Sequence, residues 1–208
     1  FTIKCWGDGA NGQLGMGNVV DLGNDPGEMG NALPRVSLGD AGISVLSLTG
    51  GNNRHCAILD TERVKCWGNN DNGALGLGGT NRWGDEPNEM GNALPAVQLG
   101  VGLAIAEVAT GTGRVCARTV DNRVKCWGNG AEGQLGYEDT VTRGDDAGEM
   151  GDALAFVNLG VGQSAISLAG GANHACALLD GGAVKCWGLN DTGALGQGDI
   201  TNRGDTAG

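Results

Sequence analysis

The strongest constraint on this chain is a long-period internal repeat. Trp6, Trp67, Trp127 and Trp187 recur at an almost constant interval. Each is followed by Gly, then four residues, then Gly-x-Leu-Gly. The four copies end on Gly12-Gln13-Leu14-Gly15, Gly73-Ala74-Leu75-Gly76, Gly133-Gln134-Leu135-Gly136 and Gly193-Ala194-Leu195-Gly196. Self-similarity at a fixed long period is the mark of a repeat architecture, in which each unit buries its apolar face against the next.

A second block recurs as GEMGNALPRVSLG, NEMGNALPAVQLG and GEMGDALAFVNLG. Within a unit the apolar alternation is that of short strands, bounded by Gly, Asn or Asp. The pattern predicts four strands per unit, at Ala93–Gln98, Leu103–Ala109, Arg114–Thr119 and Arg123–Trp127 in the best-defined copy, and a lone strand at Thr2–Trp6. Tight reversals fall at residues 60–62, 120–122 and 180–182, where small or polar residues suit a hairpin turn. No segment carries a sustained helical period. Glycine makes up 42 of 208 residues, as many short strands and tight turns require. The expected fold is therefore all-β, built of propeller blades of four antiparallel strands. The repeats fall at 1–32 (partial), 33–92, 93–152 and 153–208. Since the chain starts and stops inside a unit, 1–208 reads as one incomplete propeller.

Six of the seven cysteines form three pairs, each with the same separation of ten. In a hairpin that reverses at Gly181, Cys176 faces Cys186. The same symmetry sets Cys56 opposite Cys66 and Cys116 opposite Cys126. Directly opposed strand residues have Cβ atoms about 4.5–5.5 Å apart, close enough for a disulfide after a modest twist. Cys5 has its matching position upstream of Phe1. Two other readings of the pairs are small buried hydrophobes in reduced strands and, more weakly, zinc ligands. Zinc is disfavoured by the lack of any C-x-x-C and by only two histidines. Oxidised pairs imply an extracellular or cell-surface location, the alternative being the cytoplasm.

The net charge is −11, and all four lysines occupy one repeat position, so no basic patch forms for nucleic acid. No apolar run reaches the roughly 18 residues of a membrane span. There is no Walker-type phosphate loop, and no nucleophile, base and orienting group stand out as a catalytic set. No catalytic residue, metal or cofactor is expected. The acidic column that contains Asp85, Asp145 and Asp205 is read as solvated turn residues in preference to a calcium site. The Arg-Gly-Asp triplets at 143–145 and 203–205 share one repeat column with other sequences, so they read as coincidence. Variable columns between repeats point to a binding face. There Trp83, Tyr137, Arg143 and Arg203 are the candidate contact residues, because aromatics and Arg dominate protein interfaces.

The stretch ISLAGGANHACALLDGGAVKCWGLNDTGALGQGD, residues 166–199, resembles the repeat of the regulator of chromosome condensation family. Its landmarks are a Gly-x-x-His turn, an Ala-Leu strand, the Trp-Gly pair and the Gly-x-Leu-Gly loop. The resemblance implies a seven-bladed propeller of which this chain supplies about half. It also implies a non-enzymatic disc that binds another protein. A guanine nucleotide exchange factor for a small GTPase is the alternative role. The paired cysteines depart from the nuclear members and favour a secreted, bacterial-type one.

Overall fold

The computed structural model describes residues 2–39 and 42–206, so the outer repeat limits at 1 and 208 fall outside the described residues. Among the described residues nine strands form three antiparallel sheets. The first sheet contains β1 (Val45–Gly51), β2 (Arg54–Leu59) and β3 (Val64–Gly68). The second contains β4 (Ile105–Thr110), β5 (Arg114–Thr119) and β6 (Val124–Gly128). The third contains β7 (Ala165–Gly170), β8 (His174–Leu179) and β9 (Val184–Gly188). Each sheet is a meander with an irregularity at the same place in its first strand: Val45/Ser47, Ile105/Glu107 and Ala165/Ser167. The first strands β1, β4 and β7 lie against one another from sheet to sheet.

The expected fourth strand does not form. Residues 93–98 stay outside any ladder, and the sheets are three-stranded. What joins the segment to a sheet is one backbone bond, from the Val97 N–H to the Val64 carbonyl at 2.8 Å, repeated by Val157 to Val124 at 2.8 Å and Val36 to Ile3 at 3.0 Å. The segment thus flanks the third strand of the preceding sheet, not the first strand of its own unit. Pro34 and Pro95 lack the N–H that a ladder needs. In the third copy Ala155 replaces proline, but the Tyr137 hydroxyl intervenes. It accepts the Cys126 N–H at 2.9 Å and lies 2.9 and 3.0 Å from the carbonyls of Cys126 and Ala155, one of which takes its proton. Likewise Thr2–Trp6 is no strand; it contributes only the bridge Ile3–Val36.

The repeated Trp and glycines explain how sheets join. Trp67 and Trp127 are fully buried and Trp187 nearly so. The Trp67 indole N–H donates to the Gln13 carbonyl and that of Trp127 to the Ala74 carbonyl, both at 3.0 Å. These carbonyls belong to the Gly-x-Leu-Gly loop of the preceding unit, whose leucines Leu14, Leu75 and Leu135 are buried. A Cβ on Gly76 would approach the Trp127 Nε1 to 2.7 Å, and one on Gly136 the Trp187 Nε1 to 2.8 Å. Both glycines also have positive φ, +69° and +75°, where a side chain is strained. Each of these loops is therefore shaped to cap the next unit's indole. Trp6 has no such loop ahead of it in this chain and is 61% exposed.

Candidate functional site

In each hairpin the register places cysteine opposite cysteine: Cys56–Cys66, Cys116–Cys126 and Cys176–Cys186. All three pairs are disulfide-bonded, with Cα atoms 4.0–4.1 Å apart. The bridges join the second and third strands of each sheet; Cys56, Cys66, Cys116 and Cys126 are buried against the following unit, whereas Cys176 and Cys186 are half-buried. Cys5 is a free, buried thiol, and burial pushes its pKa up to about 11.

Buried cations reinforce the seams. Arg54 is fully buried, and its guanidinium donates to the Asn69 carbonyl at 3.1 Å, the Asn69 side chain at 3.2 Å and, across the seam, the Gly111 carbonyl at 3.0 Å. Arg114 repeats the arrangement towards the carbonyls of Gly171 and His174 in the third sheet. Desolvation lowers both guanidinium pKa values, that of Arg114 to about 10. His174 takes the same column in the third unit, and its ring lies against Gly171. His55, one column on, stacks on Trp67 with centroids 5.7 Å apart, and its Nδ1 is 3.0 Å from the Gln13 carbonyl. The lysine column also bridges elements. Lys65 reaches the carbonyls of Leu38 and Gly91 at 2.8 Å, Lys125 those of Leu99 and Gly151 at 2.7 and 2.9 Å, and Lys185 that of Leu159 at 2.8 Å.

The acidic turns have an internal logic. One oxygen of Glu89 accepts the backbone N–H groups of Gly84, Asp85 and Glu86 at 2.8–3.2 Å. Glu28 and Glu149 do the same in their own turns. At Glu28 the N–H of Asp25, then that of Gly23, holds the carboxyl below its ordinary range. Among the described residues no group of three His, Cys, Asp or Glu side chains is placed to hold a metal ion.

The four candidate contact residues lie at the seams. Trp83 is partly buried and packs against the apolar clusters of the first and second units. Its backbone pairs with Gly68. Tyr137 fills the gap at β6, and Arg143 lies 4.4 Å over its ring while paired to Asp139 through bonds of 2.9 and 2.7 Å. Arg203 makes the matching pair with Asp199 at 2.7 Å and is more exposed. The Arg-Gly-Asp triplet at 143–145 is held in this network, and the backbone of Gly144 and Asp145 abuts Gly73 of the preceding unit.

Sequence reasoning missed a cation–aromatic group on the second sheet. The Arg123 guanidinium lies 3.9 Å over the ring of Phe156, with Lys125 Nζ at 4.7 Å. Asp121 completes the group, bonded to the Arg123 Nε at 2.7 Å. Aligning the copies column by column would have found it: Asp121, Arg123 and Phe156 correspond to Thr61, Arg63 and Ala96.

Fold and seams together define an all-β repeat protein whose sheets are locked by indoles, glycine loops and buried arginines. Three segments, residues 45–74, 105–134 and 165–194, match the model of the regulator of chromosome condensation (RCC1) repeat. The chain belongs to the RCC1 repeat β-propeller family. It is 31% identical over 203 residues to the ultraviolet-B receptor UVR8 of Arabidopsis thaliana, a match that covers 97% of this chain and 40% of the relative. It is 29% identical over 163 residues to the E3 ubiquitin-protein ligase HERC2 of Homo sapiens, covering 77% of this chain and 3% of that protein. The structure of yeast RCC1 (Prp20) bound to Kap60 superposes with a TM-score of 0.69 at 18% identity, over 97% of this chain and 42% of that one. That likeness is one of fold. The chain spans less than half the length of these relatives.

Proposed function

We propose that this chain is part of a seven-bladed, non-enzymatic propeller that acts as a protein-binding scaffold in an oxidising compartment, outside the cell or at its surface. The observation that carries the reading is where the repeated side chains go. Trp67, Trp127, Arg54 and Arg114 reach across from one unit to the next. The repeated columns thus build a rigid disc, and the positions that differ between units remain for recognition. Three disulfides favour the oxidising location. The net charge of −11 opposes nonspecific binding to nucleic acid. Among structural neighbours, Prp20p of Saccharomyces cerevisiae is described with its binding properties to Gsp1p and histones, which supports protein partners for this fold.

The resemblance to the regulator of chromosome condensation repeat supports a second reading, a guanine nucleotide exchange factor-like regulator of a small GTPase in the cytoplasm. A release assay separates the two. Small GTPases loaded with a fluorescent nucleotide are mixed with the chain, and the scaffold reading expects release at the intrinsic rate. Photo-crosslinkers placed at variable rim positions should then capture a protein from the native compartment. Accelerated release from any GTPase overturns the scaffold reading in favour of exchange.

A further inference from the structure

The cavity between the β2–β3 turn and residues 96–105 has a chemistry that its sister site explains. It has a volume of about 330 Å³, and its lining includes Thr61, Arg63, Ala96, Gln98 and Leu103. One repeat later, the equivalent place is filled from within. The Phe156 ring sits under the Arg123 guanidinium at 3.9 Å, and the Asp121 carboxylate holds the same guanidinium at 2.7 Å. In the earlier unit the arginine is kept as Arg63, but both of its partners are replaced, Asp121 by Thr61 and Phe156 by Ala96. The ring's place is left as open volume beside Ala96. Arg63 is exposed and, among the described residues, its guanidinium has no ion pair, ring or hydrogen-bond partner. The neighbouring Lys65 is held by the carbonyls of Leu38 and Gly91, so Arg63 is the cation that faces the opening.

We infer that this cavity is a docking slot for an aromatic side chain of a partner protein that carries a carboxylate beside the ring, so that the partner supplies in trans what Phe156 and Asp121 supply within the second sheet. The inference deepens the protein-binding reading and rests on it. The slot is at the small end of the range of about 300–1,000 Å³ seen for small-molecule pockets, which suits one side chain better than a cofactor. A guanidinium attracts both the face of a ring and a carboxylate, and a ligand that offers the two together engages Arg63 twice, which offsets the repulsion from Glu62 in the lining and from the acidic chain as a whole. Arg35 occupies the ring column in the first unit and Ala183 the arginine column in the third, so the empty slot under a free arginine is specific to this seam.

The test uses the whole chain labelled with 15N and the probe 3-phenylpropionate, which carries ring and carboxylate together. Saturable amide shifts are expected at residues 61–64 and 96–98. The analogues 3-cyclohexylpropionate and 3-phenylpropanol, which lack the ring face or the charge, should bind about 3–10-fold more weakly. The double variant Thr61→Asp with Ala96→Phe builds the internal occupant of the sister site and should abolish the shifts. Arg63→Gln, which touches no packed residue, should abolish them as well and serves if the double variant does not fold. No saturable shift at these amides, or undiminished binding to Arg63→Gln, overturns the slot. Either result is independent of whether rim cross-linkers capture a protein elsewhere on the disc, so the failure of the slot and the failure of the scaffold reading are distinguishable.

Discussion

At the scale of single residues, the same letter has different work to do in different copies. Trp67, Trp127 and Trp187 sit under the Gly-x-Leu-Gly loop of the unit before, whereas Trp6 is 61% exposed. Replacing Trp127 by Ala empties a fully buried site and breaks its bond to the Ala74 carbonyl, so it should cost about 3–5 kcal/mol. Replacing Trp6 should cost about 1 kcal/mol or less, in line with exposed substitutions generally. Urea midpoints of the two variants measured side by side check this, and equal losses would refute the capping arrangement. The repeat spacing alone sets all four tryptophans in one column. Cover for each indole comes from a loop of the preceding unit, so the column alone does not set how buried a copy is. Variation between copies marks Trp83, Tyr137 and Arg143 as candidate contact residues, and all three, half-buried, also pack into the seams. A column can vary because each seam is filled differently as well as because it meets a partner.

At the scale of elements, the hairpin carries most of what was legible. The spacing of ten between cysteines, with a turn centred between them, is enough to set each pair face to face, and the register does so in all three copies. Each bridge closes a loop of about eleven residues, for which chain entropy gives roughly 2–3 kcal/mol. Peptide mapping of non-reduced, denatured protein should find bridges at 56–66, 116–126 and 176–186 and one thiol, Cys5, that reacts only after unfolding. Reduction should lower the urea midpoint in proportion to the bridges lost. Seven free thiols in protein from its native compartment would remove the basis for an oxidising location. The fourth strand was the element misread. Its alternation holds only over the second half, where Val97 and Leu99 are buried on either side of exposed Gln98, while Leu94 is buried out of phase with them; alternation of that length reports burial and not a ladder. Proline in two copies and the Tyr137 hydroxyl in the third take away the backbone bonds.

At the scale of the whole molecule, the outer flanks of the described structure remain uncovered. Trp6, Leu46 and Leu48 are exposed at the first flank, and Val184 and Ile200 at the last. Unpaired strand edges and apolar faces of this kind are the surfaces through which chains associate. The 208-residue chain on its own should therefore dimerise or aggregate as concentration rises, by light scattering. A clean monomer across about 1–100 μM, the range in which transiently exposed surfaces lead to aggregation, would contradict this.

The sequence by itself determined the period, the strand-rich class, the cysteine partners and the residues that join one unit to the next. These follow from spacing, and a spacing that recurs in every copy reads directly as a repeated contact. The tertiary structure alone decided which neighbour each contact reaches. The 93–98 segment crosses to the sheet before it, Arg54 crosses to the sheet after it, and Arg63 faces an opening that its counterpart Arg123 does not have. Those outcomes depend on side chains far apart in the chain meeting at a seam, and a meeting of that kind is set by how the sheets pack, not by any local pattern in the chain.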